Sequence, residues 1–283
     1  MSAIVSEPPD HERPPARAVH PRRILDLLDA GAVRAAHPDP GEPGGWRVDQ
    51  TVKAAIIARF TDRRTRRWTA GSTFRFRDRI GLPLKVIDAG RPDAGDGGGA
   101  TARIVPGGTS IRAGVHLGQG VVVMPPSFIN VGAWIGDGAM IDSHVLVGSC
   151  AQIGDRVHLA AGVQVGGVLE PPGARPVIVE DGAFVGAGSL LLDGVLVGRD
   201  AVIGAGVTLT GTTRLYDLVR GIVLEGTAER PLAIPARAVV VPGSRALGGR
   251  FATDHGLSVT VPLLVKDRDA RTDARVALEE ALR

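Results

Sequence analysis

The sequence predicts a mainly β fold: a left-handed parallel β-helix of hexapeptide repeats, with a small N-terminal helical domain and a short C-terminal strand and helix extension. Three observations predict it. A branched aliphatic recurs at every sixth position through Ile111, Leu117, Val123, Ile129, Ile135, Ile141, Val147, Ile153, Leu159 and Val165. A second series with the same step runs through Val179, Val185, Leu191, Val197, Ile203, Leu209 and Leu215. Glycine is abundant where aromatics are scarce, with 20 of the 39 Gly inside residues 111–215 but only three of the ten aromatics. Six residues is neither a helical period nor a simple strand period. It is the period of a prism in which each hexapeptide supplies one flat face and one turn, so three make a coil.

Within each hexapeptide the anchor is expected to point inward. A small or β-branched residue sits four positions later, as in Val115, Val121, Ser127, Ala133 and Ala139. Gly often follows the anchor directly, as in Ile135-Gly136 and Val147-Gly148, and is expected to permit the turn dihedrals. Seventeen anchors amount to between five and six coils. The fourteen-residue gap from Val165 to Val179 implies an excursion of eight residues near Glu170–Pro176. Loops on a rigid solenoid often carry function, although a surface insertion gives the same spacing.

The flanks read differently. Residues 1–20 are rich in Pro, Arg and His and are expected to form a disordered tail. Residues 21–100 form the helical domain. Ile24, Leu27 and Leu28 mark one face of a helix over Arg22–Ala35 that Gly31 would stop, and a second helix runs over Val48–Phe60. Residues 101–220 form the prism and 221–283 the extension, with strands near 238–241 and 257–261 and a closing helix over Arg271–Arg283. Ala94–Ala100 reads as a flexible loop, since it lacks the Lys-Ser/Thr and helix of a phosphate cradle. Arg63, Arg64, Arg66, Arg67, Arg75, Arg77 and Arg79 fall close to Trp68, Phe74 and Phe76. A solvated face is favoured there over a nucleic-acid patch, because Asp62 and Asp78 dilute the charge.

Composition excludes several classes. No apolar run reaches eighteen residues and the polar start is not a signal peptide, so no membrane span is expected. Cys150 stands alone and cannot form an internal disulfide. A cytoplasmic location follows as an expectation. The net charge of +3 is weak grounds for a polyanionic partner.

The chemistry rests on longer motifs. These are Met124-Pro125-Pro126-Ser127-Phe128-Ile129-Asn130-Val131-Gly132-Ala133, Met140-Ile141-Asp142, Val147-Gly148-Ser149-Cys150-Ala151-Gln152-Ile153-Gly154, Val157-His158-Leu159, Gly166-Gly167-Val168-Leu169-Glu170-Pro171 and Thr213-Arg214-Leu215-Tyr216-Asp217. Together they closely resemble the tetrahydrodipicolinate N-succinyltransferases, over about residues 22 to 283. The resemblance implies a homotrimer with active sites between subunits and no permanently bound cofactor or metal. Succinyl-CoA would be the co-substrate, and an open-chain 2-amino-6-oxo dicarboxylate of the lysine pathway the acceptor. Arg103 and Asp142 match the residues that bind the amino-acid substrate, with Ser143 beside them and Arg214 facing a second carboxylate. Gly167, Gly186, Ala187 and Ala205 would line the coenzyme slot. Arg suits a carboxylate through its bidentate fork, and Asp can orient an ammonium or take its proton.

Two departures bear on the acceptor. Where the family carries Arg-Ser-Glu-Val-Val-Glu-Gly, this chain reads Gly188-Ser189-Leu190-Leu191-Leu192-Asp193-Gly194, so Leu190 replaces an active-site acid. Beside Asp142, the family's Thr-Trp is Ser143-His144, which makes His144 either a replacement base or a packing residue. A paralogue recruited to natural-product synthesis, similar in principle to the tabtoxin-pathway acyltransferase, and a non-catalytic CoA-binding scaffold are therefore alternatives. Trimeric zinc carbonic anhydrases also use such prisms. The His116, His144 and His158 spacings of 28 and 14 are not multiples of eighteen, so these three do not align on one face.

Overall fold

The computed structural model describes residues 23–42, 44–70, 72–87 and 102–273. The expected N-terminal tail, the Ala94–Ala100 loop and all but residues 271–273 of the closing helix lie outside them. The first described element is helix α1 (Ile24–Asp29), shorter than its apolar pattern suggested, which buries Ile24, Leu25 and Leu28. Gly31 follows with φ +69, where a Cβ would also press on the His116 ring. Helix α2 (Gln50–Thr61) begins where the Asp49 side chain accepts the Val52 N–H at 2.9 Å. Two hairpins accompany the helices, Ala36–Pro38 with Trp46–Val48 and Thr65–Ala70 with Phe74–Arg79. The Arg-rich stretch is the second of these. Trp68 and Phe76 stack across its strands at 4.4 Å, and Arg67 lies opposite Arg77.

The prism has three faces of parallel two-residue strands. Face one stacks His116–Leu117, Trp134–Ile135, Gln152–Ile153, Ile178–Val179, Leu196–Val197 and Ala233–Ile234. Face two stacks Arg103–Ile104, Val122–Val123, Met140–Ile141, His158–Leu159, Phe184–Val185 and Val202–Ile203, then joins the C-terminal strands. Face three stacks Ser110–Ile111, Phe128–Ile129, Leu146–Val147, Gln164–Val165, Leu190–Leu191 and Thr208–Leu209. All the predicted anchors except the half-buried Leu117 are buried, and nearly all belong to one continuous core. Each is worth about 1.5–3 kcal/mol relative to an exposed side chain. The core is a column of Ile, Leu, Val and Ala, which is why the prism needs so few aromatics.

Two details of the hexapeptide differ from the expectation. The left-handed turn residue sits three positions after the anchor, as at Gly188 (φ +69) and His144 (φ 62), rather than directly after it. Glycine directly after the anchor answers to crowding between coils instead. A Cβ on Gly136, Gly148, Gly154 or Gly198 would run into Asp155, Gly167, Asp181 or Ala236 of the next coil. Leu215, although buried, also leaves the prism. Its strand Leu215–Asp217 pairs with Ile222–Leu224 and with Ser258–Asp267, and Ala233–Ile234 takes its place on face one. A long antiparallel arm, Ala238–Ala246 with Ser258–Asp267, closes the described chain and carries helix α3 (Arg250–Asp254) in its connection.

The N-terminal elements pack directly on the prism. Ile24, Leu28, Val52 and Ile56 share one buried cluster with Val131 and Cys150. On face one, Trp134 stacks on His116 at 3.8 Å, and the Arg34 guanidinium lies 4.1 Å from the Trp134 ring. Arg34 also donates to Gln152 Oε1 at 2.8 Å.

Candidate active site

The corner between faces two and three holds most of the sequence-predicted site. Successive coils place Met124-Pro125-Pro126, Asp142-Ser143-His144, Ala160-Ala161-Gly162, Gly186-Ala187-Gly188 and Gly204-Ala205-Gly206 one above the other. A backbone ladder fixes this register. His144 N–H donates to Pro126 O at 2.7 Å, Gly162 to Ser143 at 2.8 Å, Gly188 to Ala161 at 3.0 Å and Gly206 to Ala187 at 2.9 Å. Three coils in succession thus present only Gly and Ala here, and the polar triplet Asp142-Ser143-His144 caps one end. Asp142 is half-buried, its Oδ1 accepting the Ser143 N–H at 2.6 Å, and His144 is exposed.

The middle residue of each small triplet leaves a donor open. Among the described residues nothing accepts from the N–H of Ala161, Ala187 or Ala205, and all three residues are exposed. Sequence reading missed Ala161, the first such donor after Asp142. Its signal was positional, two residues after the Leu159 anchor, and its side chain gave none.

The walls beside this corner are almost uncharged. Face three presents Ser110, Phe128, Leu146, Gln164, Leu190 and Thr208, each half-buried or exposed, in one register column. Leu190 lies between Gln164 and Thr208. A shallow concavity lined by Ser110, Pro126, Phe128, Leu146 and Gln164 opens beside His144. Face two presents Val122, Met140, His158, Phe184 and Val202, with Arg103 on its edge strand. The buried His158 ring meets Phe184 edge-on at 5.0 Å.

One chain does not bring all the predicted residues together. The exposed Arg103 lies two strands from the Asp142 strand, about 10 Å at ordinary strand spacing. Arg214 precedes a strand six positions away in the same sheet, about 29 Å, and pairs with Glu225 at 2.8 Å. Gly167 sits at the corner between faces three and one, at the root of the first excursion. It therefore lies apart from Gly186, Ala187 and Ala205. His116 and His158 lie on different faces and His144 on a corner. No group of three His, Cys, Asp or Glu among the described residues is placed to hold a metal ion. Nor does any helix among them have the length and apolar character to cross a membrane. Cys150 is no nucleophile, because burial pushes its thiol up to about 12.

Comparison with known proteins identifies the family. Residues 132–167 match the bacterial transferase hexapeptide model, 176–211 the hexapeptide repeat of succinyl-transferase, and 11–61 the tetrahydrodipicolinate N-succinyltransferase N-terminal model. The 2,3,4,5-tetrahydropyridine-2,6-dicarboxylate N-succinyltransferase of Polynucleobacter asymbioticus is 39% identical over 261 residues, 92% of this chain and 87% of that one. The enzyme of the same name from Ralstonia nicotianae is 40% identical over 260 residues, with the same two coverages. With identity of that level running through both the prism and its flanks, the chain belongs to the tetrahydrodipicolinate N-succinyltransferase family.

Proposed function

We propose that the protein transfers an acyl group from a coenzyme A thioester to a primary amine. Succinyl-CoA is the donor, and the acceptor is the open-chain form of tetrahydrodipicolinate or a related amino dicarboxylate. The observation that carries this reading is the corner between faces two and three: a Gly/Ala track with open N–H groups, ending at Asp142-Ser143-His144. Pantetheine is a thin chain with amide carbonyls. A track without side chains admits it, and spaced N–H donors match its acceptors.

In this reading Asp142 orients the ammonium and His144 takes its proton. The amine lone pair attacks the thioester carbon, forming C–N, and the Ala161 N–H steadies the oxyanion. The C–S bond then breaks, the adduct nitrogen gives up its second proton to become the amide, and the departing CoA thiolate takes that proton and leaves as the thiol. Ser143 borders the reacting carbonyl, Arg103 binds one acceptor carboxylate, and Gly186, Ala187 and Ala205 line the slot. A homotrimer is part of the proposal. Its support is that Arg214 and Gly167 lie away from the Asp142 corner in one chain, so a complete site takes them from another copy. A cytoplasmic location agrees with this chemistry.

A second reading, in which the acceptor is a different amine, rests on Leu190. The face-three wall offers no charged group to an acceptor, and Leu190 can neither bind an ammonium nor move a proton. Steady-state assay with succinyl-CoA and tetrahydrodipicolinate separates the two. Turnover in the ordinary range of about 1–10³ s⁻¹ supports the parent reaction. Thioester cleavage only with other amines supports the second reading, and no cleavage with any amine overturns both.

A further inference from the structure

Lys53 of α2 has no exposed surface, yet no carboxylate among the described residues pairs with it. The titratable neighbour acting on it is the Cys150 thiol, which stays neutral. Burial accordingly lowers the ammonium's proton affinity. Burying a cation without a counter-charge is costly, and a Met would fill the same space without that cost. What the ammonium does is donate to Ala174 O at 2.6 Å and to Pro171 O at 3.4 Å. Both carbonyls belong to the first excursion, where Pro171 O also accepts the Ala174 N–H at 2.9 Å and Ala174 O relies on Lys53 among the described residues.

The excursion is pinned on its other flank in the same way. Arg175 Nε donates to Gly194 O at 2.9 Å, and its Nη2 donates to Pro231 O at 2.7 Å and Leu232 O at 3.2 Å. At the root, a Cβ on Gly148 would collide with Gly167, so the loop leaves in contact with the prism. Leu169 packs against the N-terminal cluster. Between root and pins lies the segment 167–170, whose Gly167 and Glu170 are exposed and border a concavity with Asp193 and Thr212.

We infer that Lys53 is a positioning residue for acyl transfer: by holding the carbonyls of Pro171 and Ala174, it fixes the 167–170 segment of one copy where that segment meets acyl-CoA lying on the open corner of another. The inference rests on the acyl-transfer reading of the site and ties the N-terminal helix to coenzyme binding.

Lys53→Met tests it by hydrogen exchange, calorimetric CoA affinity and kinetics. Amide exchange should quicken over residues 167–175 while the prism strands stay protected. The CoA Kd and the KM for succinyl-CoA should rise about tenfold, with kcat within threefold of the parent. Lys53→Gln, which keeps one N–H donor, should recover part of that loss, and it carries the same test if the Met variant does not fold. Unchanged exchange overturns the inference, and so does quickened exchange with CoA affinity intact. A parent protein that binds CoA without acylating any amine would sink only the acyl-transfer reading, since calorimetry still decides the role of Lys53.

Discussion

At the corner between faces one and two, the turn N–H groups of Gln119, Asp137 and Asp155 are each taken by the carboxylate of the next coil. Oδ1 of Asp137, Asp155 and Asp181 accepts them at 2.8, 3.0 and 3.0 Å. At the corner between faces two and three, the matching groups of Ala161, Ala187 and Ala205 have no acceptor among the described residues. The coil geometry is the same, and one side chain per coil decides the outcome. Asp closes a corner and makes it structural. Ala leaves donors pointing outward over a smooth surface, and a ligand can take them. The proposed chemistry lies on the open corner, which is where Asp142 and His144 sit.

The comparison can be broken first at Asp142. Asp142→Ala should lower kcat/KM by about 10²–10⁴ while leaving the thermal midpoint within a few degrees, because the carboxylate caps only the adjacent N–H. A variant that keeps its rate would move the reacting end elsewhere.

Ala161→Pro asks more of the backbone. It removes the first open N–H, at a turn position that Pro125 already occupies two coils below. Loss of one oxyanion donor costs about 10²–10³ in kcat. A single-turnover assay that finds chemistry unimpaired would reduce the open donors to binding groups.

The closed corner should respond in the opposite sense. Asp155→Ala leaves the Asp137 N–H without its acceptor and should cost about 1 kcal/mol of stability, read by denaturant midpoint, with kcat/KM unchanged. Lost activity at full stability would mean that the two corners are not divided as described.

The smallest effect concerns His116. Burial lowers its pKa, and the nearby Lys85 and Arg34 cations push the same way, against a backbone hydrogen bond at Asp29 and the charge of Asp137. The folded chain therefore favours neutral imidazole. That stability is fully present above the unfolded pKa of about 6.5 and is lost as pH falls towards the lower folded value. Hydrogen exchange over residues 24–35 should quicken below about pH 6.5, and His116→Phe should remove the dependence. An acid-insensitive parent would refute it.

Much of this was legible in the residues, because a prism repeats its instructions. Each hexapeptide states its own anchor, so the faces, the core and the first excursion follow from counting. The count failed at Leu215. There the period continues, but the strand finds its partners in Leu263 and Leu264 far along the chain, and no local pattern records that pairing. Gly136 and Gly148 were assigned to turns because a sequence does not say which coil will press on them. Asp142, from a motif, and Gly186 and Ala205, implied by the family resemblance, share a corner, whereas Gly167 and Arg214, which lie in motifs of the same resemblance, do not. Motifs record what an assembled site contains, and a single chain shows only which of its parts are already adjacent. Ala161 and Lys53 were missed for opposite reasons. The first acts through its backbone, and the second acts through carbonyls that become neighbours only after folding.

The open corner itself is tested most directly by calorimetric titration of CoA into Ala187→Leu. That exposed position lies in the middle of the track, where a larger side chain costs the core nothing. The account predicts a Kd at least tenfold weaker than that of the parent, with an unchanged thermal midpoint. Parent-like CoA affinity in that variant would contradict it.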